Sequence, residues 1–124
     1  MNKIKYQFRT FLFAFRGIAA FFHLESKAVI HLTAAVLALG AGWFLEISTI
    51  EWLFVVFAIV LVFMAELFNT IAEEMADIVQ PDHDQRIGRI KDMAAGAVLI
   101  AAVGALTIGL IIFLPKLVDL ISQG

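Results

Sequence analysis

The sequence predicts an all-α integral membrane protein: an amino-terminal amphipathic surface helix followed by three transmembrane helices. Three observations carry that reading. Hydrophobic residues fill 62% of the 124 positions and charged residues only 16%, against about 45–50% and about 25% in soluble domains. The apolar residues fall in long runs, with a mean hydropathy of +0.95. Three of those runs approach the ~20 residues that a helix needs to cross ~30 Å of hydrocarbon. A net charge of −2 offers nothing to nucleic acid. The lack of cysteine removes disulfides, thiolate metal sites and cysteine nucleophiles together.

The surface helix covers about residues 3–24. Ile4, Phe8, Phe11, Leu12, Phe15, Ile18 and Phe22 recur at helical spacing, and Lys3, Lys5, Arg9 and Arg16 mostly occupy the remainder. Such a helix lies in the membrane interface with its apolar side toward the acyl chains. Arg9 and Arg16 break what would otherwise pass for a signal-peptide core, and no small-residue cleavage site follows, so the segment is read as mature chain.

The spans are expected at about 28–45, 52–75 and 93–114. The first is apolar apart from His31 and Thr33, and the third has no charged residue and a single hydroxyl, Thr107. Ser48 followed by Glu51 is a capping box that would start the second span. Pro81 should stop that helix, and Asp82 with Gln85 can cap the next. Without repeats or low-complexity linkers, residues 1–124 read as one domain. Lys3, Lys5, Arg9, Arg16 and Lys27 precede the first span, and Arg86, Arg89 and Lys91 lie between the second and third. The 45–51 link has no Lys or Arg and the tail has only Lys116. The positive-inside rule therefore puts the amino terminus and the 73–92 link in the cytoplasm.

The second span carries the chemistry. With Glu66 at zero and about 100° per residue, Asn69 falls near −60°, Glu73 near −20°, Asp77 near +20° and Thr70 near +40°. One polar stripe thus descends from within the membrane to its cytoplasmic edge. A carboxylate at mid-bilayer costs about 2.5–3.5 kcal/mol on insertion scales and is a functional-site hypothesis by default. A structural alternative has Asn69 and Thr70 joining helices while Glu73 and Asp77 are solvated, but joining helices does not require Glu66. Lys91 and Asp92, just before the third span, share the cytoplasmic side with Glu73 and Glu25. Read structurally, they are a snorkelling anchor and its ion-pair partner. Together, carboxylates, an amide and a lysine at a membrane surface suit Mg²⁺ and a polyphosphate. A carboxylate can also take the proton of an attacking hydroxyl. Neither GxxxxGK[ST] nor GxGxxG occurs, so helices would have to bind any nucleotide. His23, His31 and His83 show no metal-ligand spacing apart from a loose His23/Glu25 pair, and His31 reads as a polar contact near a helix start.

These residues resemble the prokaryotic diacylglycerol kinase family, small trimeric lipid kinases that include undecaprenol kinases. The family's Glu-x-x-Asn-x-x-x-Glu helix ending in Asp is matched by Glu66, Asn69, Glu73 and Asp77. Its Lys-Asp block with small residues is matched by KDMAAGAV, and FRGIAAFFHLES is similar to the stretch bearing the surface-helix glutamate, here Glu25. The resemblance implies that Glu66 is the general base for a lipid alcohol, and that Glu25 and Glu73 hold the Mg²⁺ that bridges the ATP phosphates. It implies nucleotide contacts from Arg9, Asp77, Asp82, His83, Asp84, Lys91 and Asp92, with Asn69 and Ala95 supporting base and substrate. It also implies a homotrimer with active sites between subunits in the bacterial inner or plasma membrane. The AAGAV run, and His31 where the diacylglycerol kinases have a second glutamate, look more like the undecaprenol-kinase branch. Two rivals compete on the residues alone: an ion- or proton-coupled transporter or channel with Glu66 as its ion site, and a non-catalytic subunit glued by Asn69, Gly104 and Ala105.

Overall fold

The apolar periodicity of the first 24 residues becomes α1 (Lys3–Leu24), whose start is capped by the Asn2 side chain accepting from the Ile4 N–H. The computed structural model describes residues 2–124, and all the regular structure among them is helical. After α1 come α2 (Lys27–Phe44), α3 (Thr49–Val79) and α4 (Gln85–Ser122). Among the described residues, α2, α3 and α4 are long and apolar enough to cross a membrane. Only Phe21 of α1 is buried, and Ile4, Phe8, Phe11, Phe15 and Ile18 are exposed, so the rest of the chain leaves the apolar side of α1 uncovered. That is the geometry of a helix whose apolar side is solvated by lipid.

Local chemistry sets the helix ends. At the start of α3 both halves of the capping box form: Ser48 Oγ accepts from the Glu51 N–H, and Glu51 Oε1 accepts from the Ser48 N–H at 3.0 Å. α3 ends at Val79, directly before Gln80 and Pro81. The cap of α4 differs from expectation. Asp84, rather than Asp82, accepts from the Arg86 N–H at 2.8 Å and the Ile87 N–H at 3.4 Å. Asp84 holds the position immediately before the helix in an extended conformation, φ −138° and ψ 135°, which is where a cap side chain can reach the orphan donors. α4 is also longer than the 93–114 span, running through Pro115 to Ser122. A proline removes one donor and crowds the carbonyl four residues back, here that of Ile111. The helix nonetheless continues past Pro115 to Ser122.

α3 and α4 pack antiparallel over most of their length, with α2 against α3. Two ion pairs hold that hairpin at its ends. Lys91 Nζ pairs with Asp77 Oδ1 beside the 80–84 link, and Lys116 Nζ pairs with Glu51 Oε1 at 3.2 Å at the other end. The pairs lie 26 residues apart on α3 and 25 on α4, so a single register runs the length of the hairpin. By that register Glu66 stands level with the small side chains of Ala101 and Ala102. Near the Glu51 end, Ile47, Val55 and Ile112 form a small core with Trp52 and Ile108. Gly42 leaves room there: a Cβ on it would lie 2.8 Å from Trp52 Cη2 and 3.0 Å from Ile47 Cδ1, so those side chains would have to shift.

At about 1.5 Å per residue α3 is about 46 Å long and α4 about 57 Å, both longer than the hydrocarbon layer. Neither helix can therefore lie wholly within that layer, and Glu66 stands about 16 Å back along α3 from the charged turn at Asp77.

Candidate active site

The expected stripe on α3 forms, and its polarity changes with depth. Glu66 is 3% exposed, Asn69 and Thr70 are 7% exposed, Glu73 is half-buried and Asp77 is exposed. Burial of a carboxylate in this setting demands a partner, and α2 supplies it. His31 Nε2 lies 2.7 Å from Glu66 Oε1. The Thr70 hydroxyl donates to the Glu66 backbone carbonyl, the i−4 bond by which a helical threonine satisfies itself in an apolar medium. Nothing in the spacing of residues announced the His31–Glu66 contact, which depends on how α2 leans on α3. Within the chain itself, α2 gives Glu66 this partner.

The imidazole is seated by aromatic rings. Phe63, one turn before Glu66, stands edge-on to His31 at 6.5 Å between centroids and tilts against Phe22 of α1 at 6.1 Å. Phe22 in turn meets Phe21 edge to face. The end of α1 is thereby pinned over the His31–Glu66 pair. Glu25, three residues beyond Phe22, is half-buried at the α1–α2 corner, where its Oε1 accepts from the Lys27 N–H at 3.2 Å. His31 also lines an apolar cleft of about 500 Å³ with Ala35, Ala38, Val55, Phe63 and Ile108; Glu66 is not part of its wall.

One turn toward the membrane edge, Asn69 Nδ2 donates to Glu73 Oε1 at 3.2 Å. Asn69 Oδ1 is buried without a partner among the described residues. An unpaired buried acceptor of this kind costs about 1–3 kcal/mol. Further out, Lys91 bonds to Asp77 rather than to Asp92. Adjacent helical residues point apart, which is why the Lys91–Asp92 pair expected on structural grounds does not form. Lys91 precedes the apolar 93–114 stretch. Its pKa is raised above the ordinary lysine value, first by the hydrogen bond to Asp77 and then by the charges of Asp77 and Glu73. It is a fixed cation beside two carboxylates.

Of the remaining expected residues, Asp82, His83, Asp84 and Lys91 border one cleft of about 280 Å³ with Pro81 and Gly88. Asp92 and Ala95 are exposed on α4, with Ala95 one turn after Lys91 on the same face, and Arg9 is on the exposed stretch of α1. No group of three or more His, Asp or Glu side chains gathers as a metal cage among the described residues. Magnesium does not ask for one, since it is held by one or two carboxylates together with phosphate oxygens and water. Glu73, with one oxygen taken by Asn69, and Glu25 at the helix corner are donors of that hard-oxygen kind.

The model of the prokaryotic diacylglycerol kinase family matches residues 12–113. The chain is 39% identical to an undecaprenol kinase of Bacillus subtilis over 116 residues, 94% of each chain. It is 31% identical to a diacylglycerol kinase of Synechocystis sp. over 90% of this chain and 64% of that one. It is also 27% identical to a diacylglycerol kinase of Escherichia coli over 75% and 76%. The protein is thus a membrane enzyme of the lipid-kinase class. Within that class, the chain belongs to the prokaryotic diacylglycerol kinase family.

Proposed function

We propose that this chain transfers the γ-phosphoryl group of ATP, with Mg²⁺, to a membrane lipid alcohol, and that undecaprenol is preferred over diacylglycerol. Residues 1–124 would act as one domain in a homotrimer in the bacterial inner (plasma) membrane, with the amino terminus and the 73–92 link in the cytoplasm. The preference for undecaprenol rests on the 39% identity across nearly the full length of the Bacillus subtilis undecaprenol kinase, against 31% and 27% for the diacylglycerol kinases. The reading is carried by one observation. A buried carboxylate, Glu66, lies about 10 Å along α3 from Glu73, which shares its surroundings with Asp77 and Lys91 at the membrane edge.

That spacing suits a reaction between a bilayer-resident hydroxyl and a water-soluble phosphate. Glu66 accepts the proton of the lipid hydroxyl as its oxygen attacks the γ-phosphorus. Asn69 orients Glu73 and presents Oδ1 to the incoming group. Lys91 holds phosphate as a point charge, and Arg9 adds a second cation. Asp77, Asp82, His83, Asp84 and Asp92 face the remainder of the nucleotide, and Ala95 leaves room beside the lipid. Glu25 and Glu73 would hold Mg²⁺, which when bound offsets charge on the phosphates. Catalysis then comes from positioning and charge neutralisation. An ion-conducting role finds less support: α3 has no charged residue from Trp52 to Ala65, so no polar path leads from Glu66 to the opposite face along that helix.

The test is a side-by-side assay of reconstituted protein with labelled Mg-ATP and either undecaprenol or diacylglycerol. The expected product is labelled undecaprenyl phosphate, formed faster than phosphatidic acid and lost on chelation of Mg²⁺. No labelled lipid from either substrate would overturn the reading.

A further inference from the structure

Among the described residues the Glu66 carboxylate has one hydrogen-bond partner, and it comes from another helix. His31 Nε2 on α2 lies 2.7 Å from Oε1. The polar neighbours on α3 are engaged elsewhere: the Thr70 hydroxyl donates to the Glu66 backbone carbonyl, and Asn69 Nδ2 donates to Glu73. Oε2 has no hydrogen-bond partner among the described residues, yet it is not one of their sealed unpaired atoms. The two oxygens are therefore unequal, one bonded and one open.

A glutamate left alone would not hold that difference. Its last torsion is broad and nearly two-fold, so the oxygens interchange unless a donor on one of them sets the plane. The donor here is itself held. Phe63 stands edge-on to the imidazole at 6.5 Å, and Phe22 at the end of α1 backs Phe63 at 6.1 Å. The Glu66 side chain is 4% exposed, and a hydrogen bond shielded in this way is stronger than one in water. A carboxylate ready to accept a proton has none to donate, so the proton between the two side chains belongs to Nε2.

We propose that His31 is a positioning residue for the base: its Nε2–H occupies Oε1 of Glu66, fixes the carboxylate plane and leaves Oε2 as the oxygen that takes the lipid hydroxyl's proton. The inference rests on the lipid-kinase reading above and keeps Glu66 as its base. The hydroxyl's proton passes to Oε2, and the hydroxyl oxygen bonds to the γ-phosphorus. The bond from that phosphorus to the β-phosphate oxygen breaks, releasing ADP. His31 neither gains nor loses a proton. Its contribution is geometric, that of the third group which orients a base. Because Phe22 reaches the imidazole through Phe63, the surface helix shares in aiming the carboxylate.

Three measurements test the assignment. In ¹⁵N-histidine spectra of the wild-type protein at its pH of maximal activity, Nε2 of His31 should carry its proton; a bare Nε2 overturns the inference without any variant. In the lipid assay, His31→Leu removes the donor while keeping an apolar bulk, and kcat should fall about a hundredfold with KM for Mg-ATP unchanged. His31→Gln, whose amide N–H can stand where Nε2 stands, should return kcat to within a few-fold of wild type. Wild-type kcat in a folded His31→Leu, or a glutamine variant as slow as the leucine one, overturns the inference. The third measurement separates positioning from mere packing. If His31 acts through the Glu66 carboxylate, His31→Leu should take nothing more from the residual rate of Glu66→Gln. A further hundredfold loss in the double variant overturns the inference and leaves the kinase reading standing. A wild-type protein that phosphorylates neither lipid overturns both.

Discussion

Replacing Glu66 by glutamine separates the chemistry of the site from its architecture. The amide is nearly isosteric, and its oxygen can still accept from His31 Nε2 at the 2.7 Å position now held by Oε1. What disappears is the negative charge, and with it the capacity to accept the lipid hydroxyl's proton. Loss of general-base assistance costs about 10²–10⁴ in rate, or about 3–5 kcal/mol of barrier at about 1.4 kcal/mol per decade. The fold should not suffer in proportion. A charge-assisted hydrogen bond becomes a neutral one, a loss of about 1 kcal/mol, while removal of a carboxylate from the bilayer interior lowers the insertion cost by up to about 3 kcal/mol. Phosphorylated lipid measured against Mg-ATP titrations, with unfolding followed in the same detergent, should therefore show kcat lower by at least a hundredfold. Nucleotide affinity and the unfolding midpoint should stay near wild type. Turnover within a few-fold of wild type would refute any proton-handling role for Glu66.

Three further outcomes follow from the same geometry. Glu73→Gln should raise the Mg²⁺ concentration needed for half-maximal activity while sparing the lipid KM; an unchanged Mg²⁺ titration removes Glu73 as a ligand. Lys91→Met should raise KM for ATP, yet cost no more than about 1 kcal/mol of stability, because the Asp77 pair is solvent-exposed; identical nucleotide kinetics would exclude the phosphate contact. Gly42→Ala should lower the unfolding temperature, since its methyl group meets the Trp52 ring at 2.8 Å and overpacking costs about 1–3 kcal/mol. Gly104→Ala, with nothing within 4 Å of its added Cβ, should not lower it and serves as the contrasting control, since alanine is about 1 kcal/mol better than glycine inside a helix.

Much of the architecture could be read from local signals. Long apolar runs, the Ser48–Glu51 box and Pro81 are interactions of neighbours along the chain, and each appears where expected. The stripe from Glu66 to Asp77 was equally legible, because helical periodicity alone puts those residues on one face. What depended on tertiary packing was not. The His31–Glu66 bond joins residues 35 apart in sequence, and no periodicity encodes the tilt of one helix on another. The partner of Lys91 could have been narrowed down, since i,i+1 residues on a helix never face each other, but only the register of α4 on α3 selects Asp77. The cap of α4 shows a finer ambiguity. Asp82 and Asp84 are both competent acceptors, and the choice turns on which residue directly precedes the first helical turn.

The ion pairs at the two ends of the α3–α4 hairpin have a consequence for assembly. Because both depend on the same offset between helices, a slip by one residue would rotate every facing side chain by about 100° and orphan four charges at once, two beside each rim of the bilayer. A misaligned hairpin thus loses both pairs together, a bias of about 1 kcal/mol per pair toward the register that places Glu66 level with Ala101 and Ala102.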